Sequence, residues 1–190
     1  MSTDKQKRLD QIAADIIKSN ICPDLAKTAH HLVFGEGSPN AKIIFIGEAP
    51  GKNEDLTGRP FIGAAGKFLD ELLLSINLER QDVYITSILK YRPPNNRDPK
   101  PEEKNAFWPY LSAQLEVIEP QLVVALGRHA ANCFLPELKI GQAHGYIQEW
   151  QGYALLPLYH PAAALYNGSM RSTLFDDFAQ IATFLKQDTK

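Results

Sequence analysis

Apolar residues fall along this chain in two rhythms. Short, nearly unbroken runs occur at Ile43-Ile44-Phe45-Ile46, around Val83-Tyr84-Ile85, at Leu122-Val123-Val124-Ala125-Leu126 and at Ala154-Leu155-Leu156-Pro157-Leu158. Runs of that length predict strands covered on both faces, at 42–46, 82–88, 122–126 and 154–158. Between them, apolar positions recur every three or four residues, the spacing of one helical face. Residues 7–19 align Leu9, Ile12, Ala13, Ile16 and Ile17, and residues 64–76 align Phe68, Leu69, Leu72, Leu73 and Ile76. A helix over about 101–118 would turn Phe107, Leu111, Leu115 and Ile118 inward, with Pro101 suited to its first turn. Pro109 is expected to kink or break it. A short helix follows at 129–135, and a last one over about 172–187 aligns Leu174, Phe175, Phe178, Ile181, Ala182 and Leu185. Residues 138–153 could hold one or two edge strands. Strands alternating with amphipathic helices imply an α/β fold. The expected architecture is a three-layer α/β/α sandwich with a central, mostly parallel sheet of about four strands.

Open sheets of this kind bind ligands beyond the carboxyl ends of their strands. The loops there carry polar chemistry. Strand 42–46 runs into Gly47-Glu48-Ala49-Pro50-Gly51, and ten residues on an exposed-looking Arg59-Pro60-Phe61 lies between Gly58 and Gly63. Strand 82–88 ends near Ser87, strand 122–126 at Gly127-Arg128, and strand 154–158 at Tyr159-His160-Pro161. Glu48, Ser87, Arg128 and His160 should therefore meet at one edge, with Phe61 beside them. A flat ring, a hydrogen-bond donor for a developing anion and a water-polarising carboxylate suit an extruded nucleobase.

Composition narrows the partners. A chain of 190 residues predicts one domain over 1–190. With 44% hydrophobic and 22% charged residues it reads as globular, and no run approaches the roughly 20 apolar residues of a membrane span. Met1-Ser2-Thr3-Asp4-Lys5 lacks the apolar stretch of a secretory leader, so a cytoplasmic location without membrane contact is expected. The net charge of −2 gives no global attraction to nucleic acid, so any DNA contact must come from a local patch. Cys22 and Cys133 form no metal-binding spacing, and in that compartment are expected to be reduced.

Several motifs, in order, match a known family. Val33-Phe34-Gly35-Glu36-Gly37, Gly47-Glu48-Ala49-Pro50-Gly51 with Glu54-Asp55, and Gly58-Arg59-Pro60-Phe61-Ile62-Gly63-Ala64-Ala65-Gly66 resemble the uracil-DNA glycosylase superfamily, particularly its iron–sulfur (family 4) branch. The likeness continues through Val83-Tyr84-Ile85-Thr86, Lys90-Tyr91-Arg92-Pro93-Pro94-Asn95-Asn96-Arg97-Asp98-Pro99, Pro101-Glu102-Glu103, Ala125-Leu126-Gly127-Arg128 and His160-Pro161, and so spans about residues 20–185.

The resemblance implies roles. Phe61 would stack on the extruded base, and His160 would donate to uracil O2. Gly47, Glu48 and Ala49 would belong to the water-positioning loop and, with Glu54, Phe61, Ser87 and His160, would bind uracil. There the attacking water would be held by Glu48, by backbone carbonyls, or by both, with Glu48 as the orienting group; the competing role for Glu48 is merely to cap the following turn. Glu54 would wall off the C5 edge of the base, or would be a solvated loop carboxylate. At the position of Ser87 the family carries an asparagine that reads N3–H and O4 together. A serine has one oxygen on a shorter arm, and could instead be bonded to backbone. The family's [4Fe–4S] cluster needs four thiolates. Here Cys22 lies near one of them, Tyr91 and Phe107 stand at two others, and Cys133 matches none. No cofactor and no metal are therefore expected, with Tyr91 and Phe107 filling the cluster's volume.

DNA contacts implied by the same likeness are a minor-groove wedge at Leu165 and phosphate contacts from Lys90, Arg92, Arg97, Arg128 and Arg171. The leading expectation is a monomeric, monofunctional glycosylase acting on uracil-containing DNA. The alternatives are a non-catalytic DNA- or base-binding module and a glycosylase retuned to another deaminated base such as hypoxanthine or xanthine.

Overall fold

A computed structural model describes residues 4–187; the leader expectation rests partly on residues 1–3, which lie outside them. Four apolar runs become the central strands β2 (Ile43–Gly47), β3 (Tyr84–Ser87), β4 (Leu122–Leu126) and β6 (Tyr153–Leu158), paired in parallel in the order β3-β2-β4-β6. The sheet has six strands rather than about four. β1 (Glu36–Gly37) adds antiparallel to β3 and β5 (Gln148–Trp150) adds antiparallel to β6. Strands of two and three residues are too short to show a period of two, so their pattern is silent. β5 supplies an edge strand in the ambiguous 138–153 stretch, and the remainder includes a short helix.

β2, β3 and β4 are buried at every position. Side-chain alternation sends their residues to two cores. Ile44, Ile46, Val123 and Ala125 face one layer, with Leu9 and Ile16 of α1 (Asp4–Lys18), Leu25 of α2 (Pro23–Thr28), and Phe107 and Leu111 of α5 (Pro101–Ile118). Ile43, Phe45, Val124 and Leu126 face the other, with Phe68, Leu69 and Leu72 of α4 (Ala64–Ser75) and Leu174 and Phe178 of α9 (Gly168–Gln187). The helices on the two faces complete the three layers.

α5 runs unbroken through Pro109. A proline there removes the bond to the Asn105 carbonyl. Asn105 and Pro109 are both exposed, so water can satisfy that carbonyl, while Phe107, Leu111, Leu115 and Ile118 anchor the opposite face. The remaining helices are α3 (Lys52–Thr57), α6 (Arg128–Phe134), α7 (Ile140–Ala143) and α8 (Ala163–Tyr166). α9 starts earlier than its apolar spacing indicates, at Gly168. Among the described residues, no helix is long and apolar enough to cross a membrane.

The topology locates the site. From β2 the chain reaches β3 by way of α4 on one face, and from β3 it crosses to β4 by way of α5 on the other. The connections diverge at β2 and β4, leaving a crevice at their carboxyl ends.

Candidate active site

A cavity of about 450 Å³ opens in that crevice, and Glu48, Phe61, Ser87 and His160 all line it. Ala49 and Glu54 contribute to its wall as well.

Gly47, the last residue of β2, acts through its missing side chain. A Cβ there would lie 2.5 Å from Cζ of Phe61 and 3.4 Å from Oγ of Ser87. The Phe61 ring therefore rests on bare backbone. Arg59 is exposed, but Pro60 and Phe61 are buried, which corrects the exposed reading of this tripeptide. Phe61 adopts φ +50°, a left-handed conformation rare for a bulky side chain. Holding a residue there costs about 1–3 kcal/mol, and its neighbours supply the restraint. Oε1 of Glu54 accepts the Ile62 and Gly63 amides at 2.9 and 2.8 Å. Arg80 donates to the carbonyls of Pro60, at 3.0 Å, and Phe61. Gly66 leaves space for the Phe61 carbonyl, which a Cβ would strike at 1.7 Å.

His160 stands opposite, its ring centroid 5.6 Å from that of Phe61 and the planes 27° apart. It packs on Gly127, whose φ of +88° favours glycine and which would bring a Cβ within 3.1 Å of the histidine Cβ. The Ala162 amide donates to Nδ1 at 3.1 Å. That bond needs a lone pair on Nδ1, which leaves the proton on Nε2. Burial pushes the His160 pKa down to about 4, against a small opposing pull from Glu54. The ring is thus a neutral Nε2–H donor at neutral pH.

Ser87 is buried at the end of β3. Its hydroxyl makes no hydrogen bond within the described residues, so the backbone-bonded alternative does not describe it. Directly behind, Lys90 is fully enclosed, donating to the Ser87 carbonyl at 2.8 Å and to Thr86 Oγ1 and Gln114 Oε1 at 2.6 Å. Burial holds its pKa well below the usual lysine value. A side chain in that position cannot reach a phosphate, which overturns its expected DNA contact.

Glu48 lines the same cavity, partly buried. Burial raises its carboxyl pKa; His129 opposes the rise, Asp98 adds to it, and Arg128 and Lys104 oppose it. His129 Nε2 lies 3.9 Å from Glu48 and 3.1 Å from Asp98, and Arg128 reaches the same Asp98 oxygen at 3.1 Å. With a guanidinium already on Asp98, this cluster is an ion-pair network rather than an open cation site.

The other candidate cations are engaged to different degrees. Arg97 lines the cavity but forks onto Glu103, Arg171 pairs with Glu71 and lies over the Phe68 ring, and Arg92 binds the Asn96 amide oxygen at 2.7 Å. Leu165 and Tyr166 are exposed on α8, beyond His160. Sequence reasoning missed Arg80, His129 and Asp98, because each acts across elements far apart in the chain.

The four thiolates of an iron–sulfur cluster do not fit this chain, which has two cysteines. The Tyr91 and Phe107 rings meet edge to face, centroids 6.0 Å apart, within the core layer against which Cys22 and Cys133 pack.

The model of the uracil DNA glycosylase superfamily matches residues 34–184. A type-4 uracil-DNA glycosylase from Archaeoglobus fulgidus is 47% identical over 182 residues, 91% of each chain. One from Saccharolobus solfataricus is 45% identical over 183 residues, covering 91% of this chain and 84% of that one. One from Thermotoga maritima is 38% identical over 189 residues, 97% of this chain and 98% of the other. With a matching cleft and likeness along nearly the whole length, this chain belongs to the uracil DNA glycosylase superfamily.

Proposed function

We propose that this protein is a monofunctional uracil-DNA glycosylase, which hydrolyses the bond between uracil and deoxyribose in DNA and leaves an abasic site. The observation that carries the reading is the neutral His160 donor opposite Phe61 across one cavity. A base in duplex DNA is out of reach, so the nucleotide must swing out, at a cost of a few kcal/mol of unstacking. Phe61 offers a π face to the extruded ring, and the Ser87 hydroxyl offers a donor and acceptor to its polar edge. As the N-glycosidic bond breaks, its electron pair passes to the base and spreads onto O2. The neutral His160 Nε2–H would stabilise that charge by donating a hydrogen bond to O2 while keeping its proton. Glu48 orients the water whose oxygen bonds to C1′, and the water's proton leaves towards the carboxylate. Leu165 would enter the gap left in the stack. Among the described residues no lysine lines the cavity to act as nucleophile in a lyase step.

On this reading the chain works as a cytoplasmic monomer, a single domain over residues 1–190, without metal or cofactor. Oligonucleotides bearing one uracil, hypoxanthine or xanthine, incubated with protein and then cleaved with alkali, test it. Strand breaks at uracil support the assignment. Breaks only at a purine would favour a retuned glycosylase, as the short arm of Ser87 allows, and binding without breaks would favour a non-catalytic module.

A further inference from the structure

Arg80 lies in the 3₁₀ turn Arg80–Asp82, ahead of β3, and each of its three guanidinium nitrogens is hydrogen-bonded. Nε donates to Asp70 of α4 at 2.6 Å, and Nη1 donates to Glu36 of β1 at 2.7 Å and to the Pro60 carbonyl at 3.0 Å. Nη2 donates to the Phe61 carbonyl. The side chain is 21% exposed, so this arginine faces the interior of the loop, not a phosphate. On the other side of the same turn, Glu54 takes the amides of Ile62 and Gly63. The loop is thus gripped by its carbonyls from one side and by its amides from the other. Both grips converge on the residue with the unfavourable φ.

We propose that Arg80 is a positioning residue for base binding, holding the Pro60 and Phe61 carbonyls so that the Phe61 ring stays parallel to an incoming base. The inference rests on the reading of Phe61 as the stacking residue. A planar fork is needed, because two carboxylates and two carbonyls must be met from fixed directions. An ammonium keeps the charge but cannot span that set. Asp70 and Glu36 hold the fork in plane, and Glu36 also carries Arg59 at 2.8 Å, tying the whole turn to β1. If Arg80 acts only through Phe61, its removal must matter only while the ring is present.

A double-mutant cycle decides this. Single-turnover excision of uracil would be measured for the wild type, Arg80→Ala, Arg80→Lys, Phe61→Ala and the double alanine variant, with inhibition by free uracil measured alongside. Arg80→Ala should slow excision about 10-fold and weaken uracil inhibition similarly, a coupling within the range found for contacting residues. Arg80→Lys should behave like alanine. In the Phe61→Ala background, removing Arg80 should change the rate less than about 2-fold. An undiminished loss in that background, or full activity with lysine, overturns the proposal. If Phe61→Ala itself leaves excision unchanged, the stacking reading fails first and the proposal with it. Should Arg80→Ala fold poorly, Asp70→Asn loosens the same fork from outside the cavity and enters the same cycle with the same expectations.

Discussion

Ala162 determines the character of His160, because an amide donating to Nδ1 leaves an uncharged ring with its proton facing the cavity. Losing that donor should slow single-turnover uracil excision by about 10²-fold or more in His160→Ala, by analogy with oxyanion-hole deletions. The sign of the pH dependence follows. With its folded pKa lowered to about 4, His160 takes up a proton more readily in the unfolded chain. Stability should therefore fall as pH drops from about 6.5 towards 4, and His160→Gln should remove that component of an acid titration. Activity should follow Glu48 instead. Its raised pKa places the acid limb of kcat/KM above the ordinary glutamate value, and Glu48→Gln should flatten the limb and lower the plateau. At Ser87 the unbonded hydroxyl leaves part of a base edge unmet. Ser87→Asn should raise the uracil rate about 10-fold and sharpen rejection of hypoxanthine, since each missing bond costs roughly 1–3 kcal/mol. A slower mutant would show the pocket shaped around serine. The convergence of Glu48, Phe61, Ser87 and His160 was legible because strand ends converge in a parallel sheet. Lys90 was misread because a lysine after a strand looks like surface. Only the oxygens of Thr86, Ser87 and Gln114 reveal it as interior.

α5 shows how packing overrides a local signal. The helix continues unbroken past Pro109 because Phe107, Leu111, Leu115 and Ile118 anchor it in the core while the broken hydrogen bond faces water. Phe107 is an anchor of that face and meets the Tyr91 ring edge to face. Its loss should leave a cavity against Tyr91, and Phe107→Ala should reduce unfolding stability by about 3–5 kcal/mol in a urea titration. Purified wild-type protein should carry no stoichiometric iron in a colorimetric assay, as two cysteines cannot complete a four-thiolate site. The long elements were legible because their apolar spacing repeats over several turns or fills a whole strand. β1 was not, because its hydrogen bonds to β3 define it and its side chains barely do, and β5 was foreseen only as an edge strand somewhere within 138–153.

Across the whole molecule the net charge of −2 offers no general attraction to DNA, so affinity must come from local cations, and the candidate arginines among them differ in their freedom. Arg97 is the least free, with both terminal nitrogens on the largely buried Glu103, a pair that also receives the Lys100 amide at the start of α5. Arg128 pairs with Asp98 in the open, each side chain 67% exposed, where water and salt weaken the bond and a phosphate can compete. Arg171 is tied to Glu71 but exposed, and among the described residues Arg92 has only the neutral Asn96 amide as its hydrogen-bond partner. Each cation that meets a phosphate releases counterions, contributing about 0.7 to 0.9 to the slope of log affinity against log salt. Binding of a uracil-containing oligonucleotide, measured by fluorescence anisotropy across a salt series, should rank them. Arg92→Ala should lower the slope by close to one full contact, Arg128→Ala by somewhat less, and Arg97→Ala least. Arg97→Ala should instead lower the urea midpoint, since it strands the Glu103 carboxylate that its guanidinium now holds below the usual glutamate pKa. A slope that falls as far for Arg97→Ala as for Arg92→Ala would mean that DNA pulls Arg97 away from Glu103, and that α5 shifts its N-terminal cap when the substrate binds.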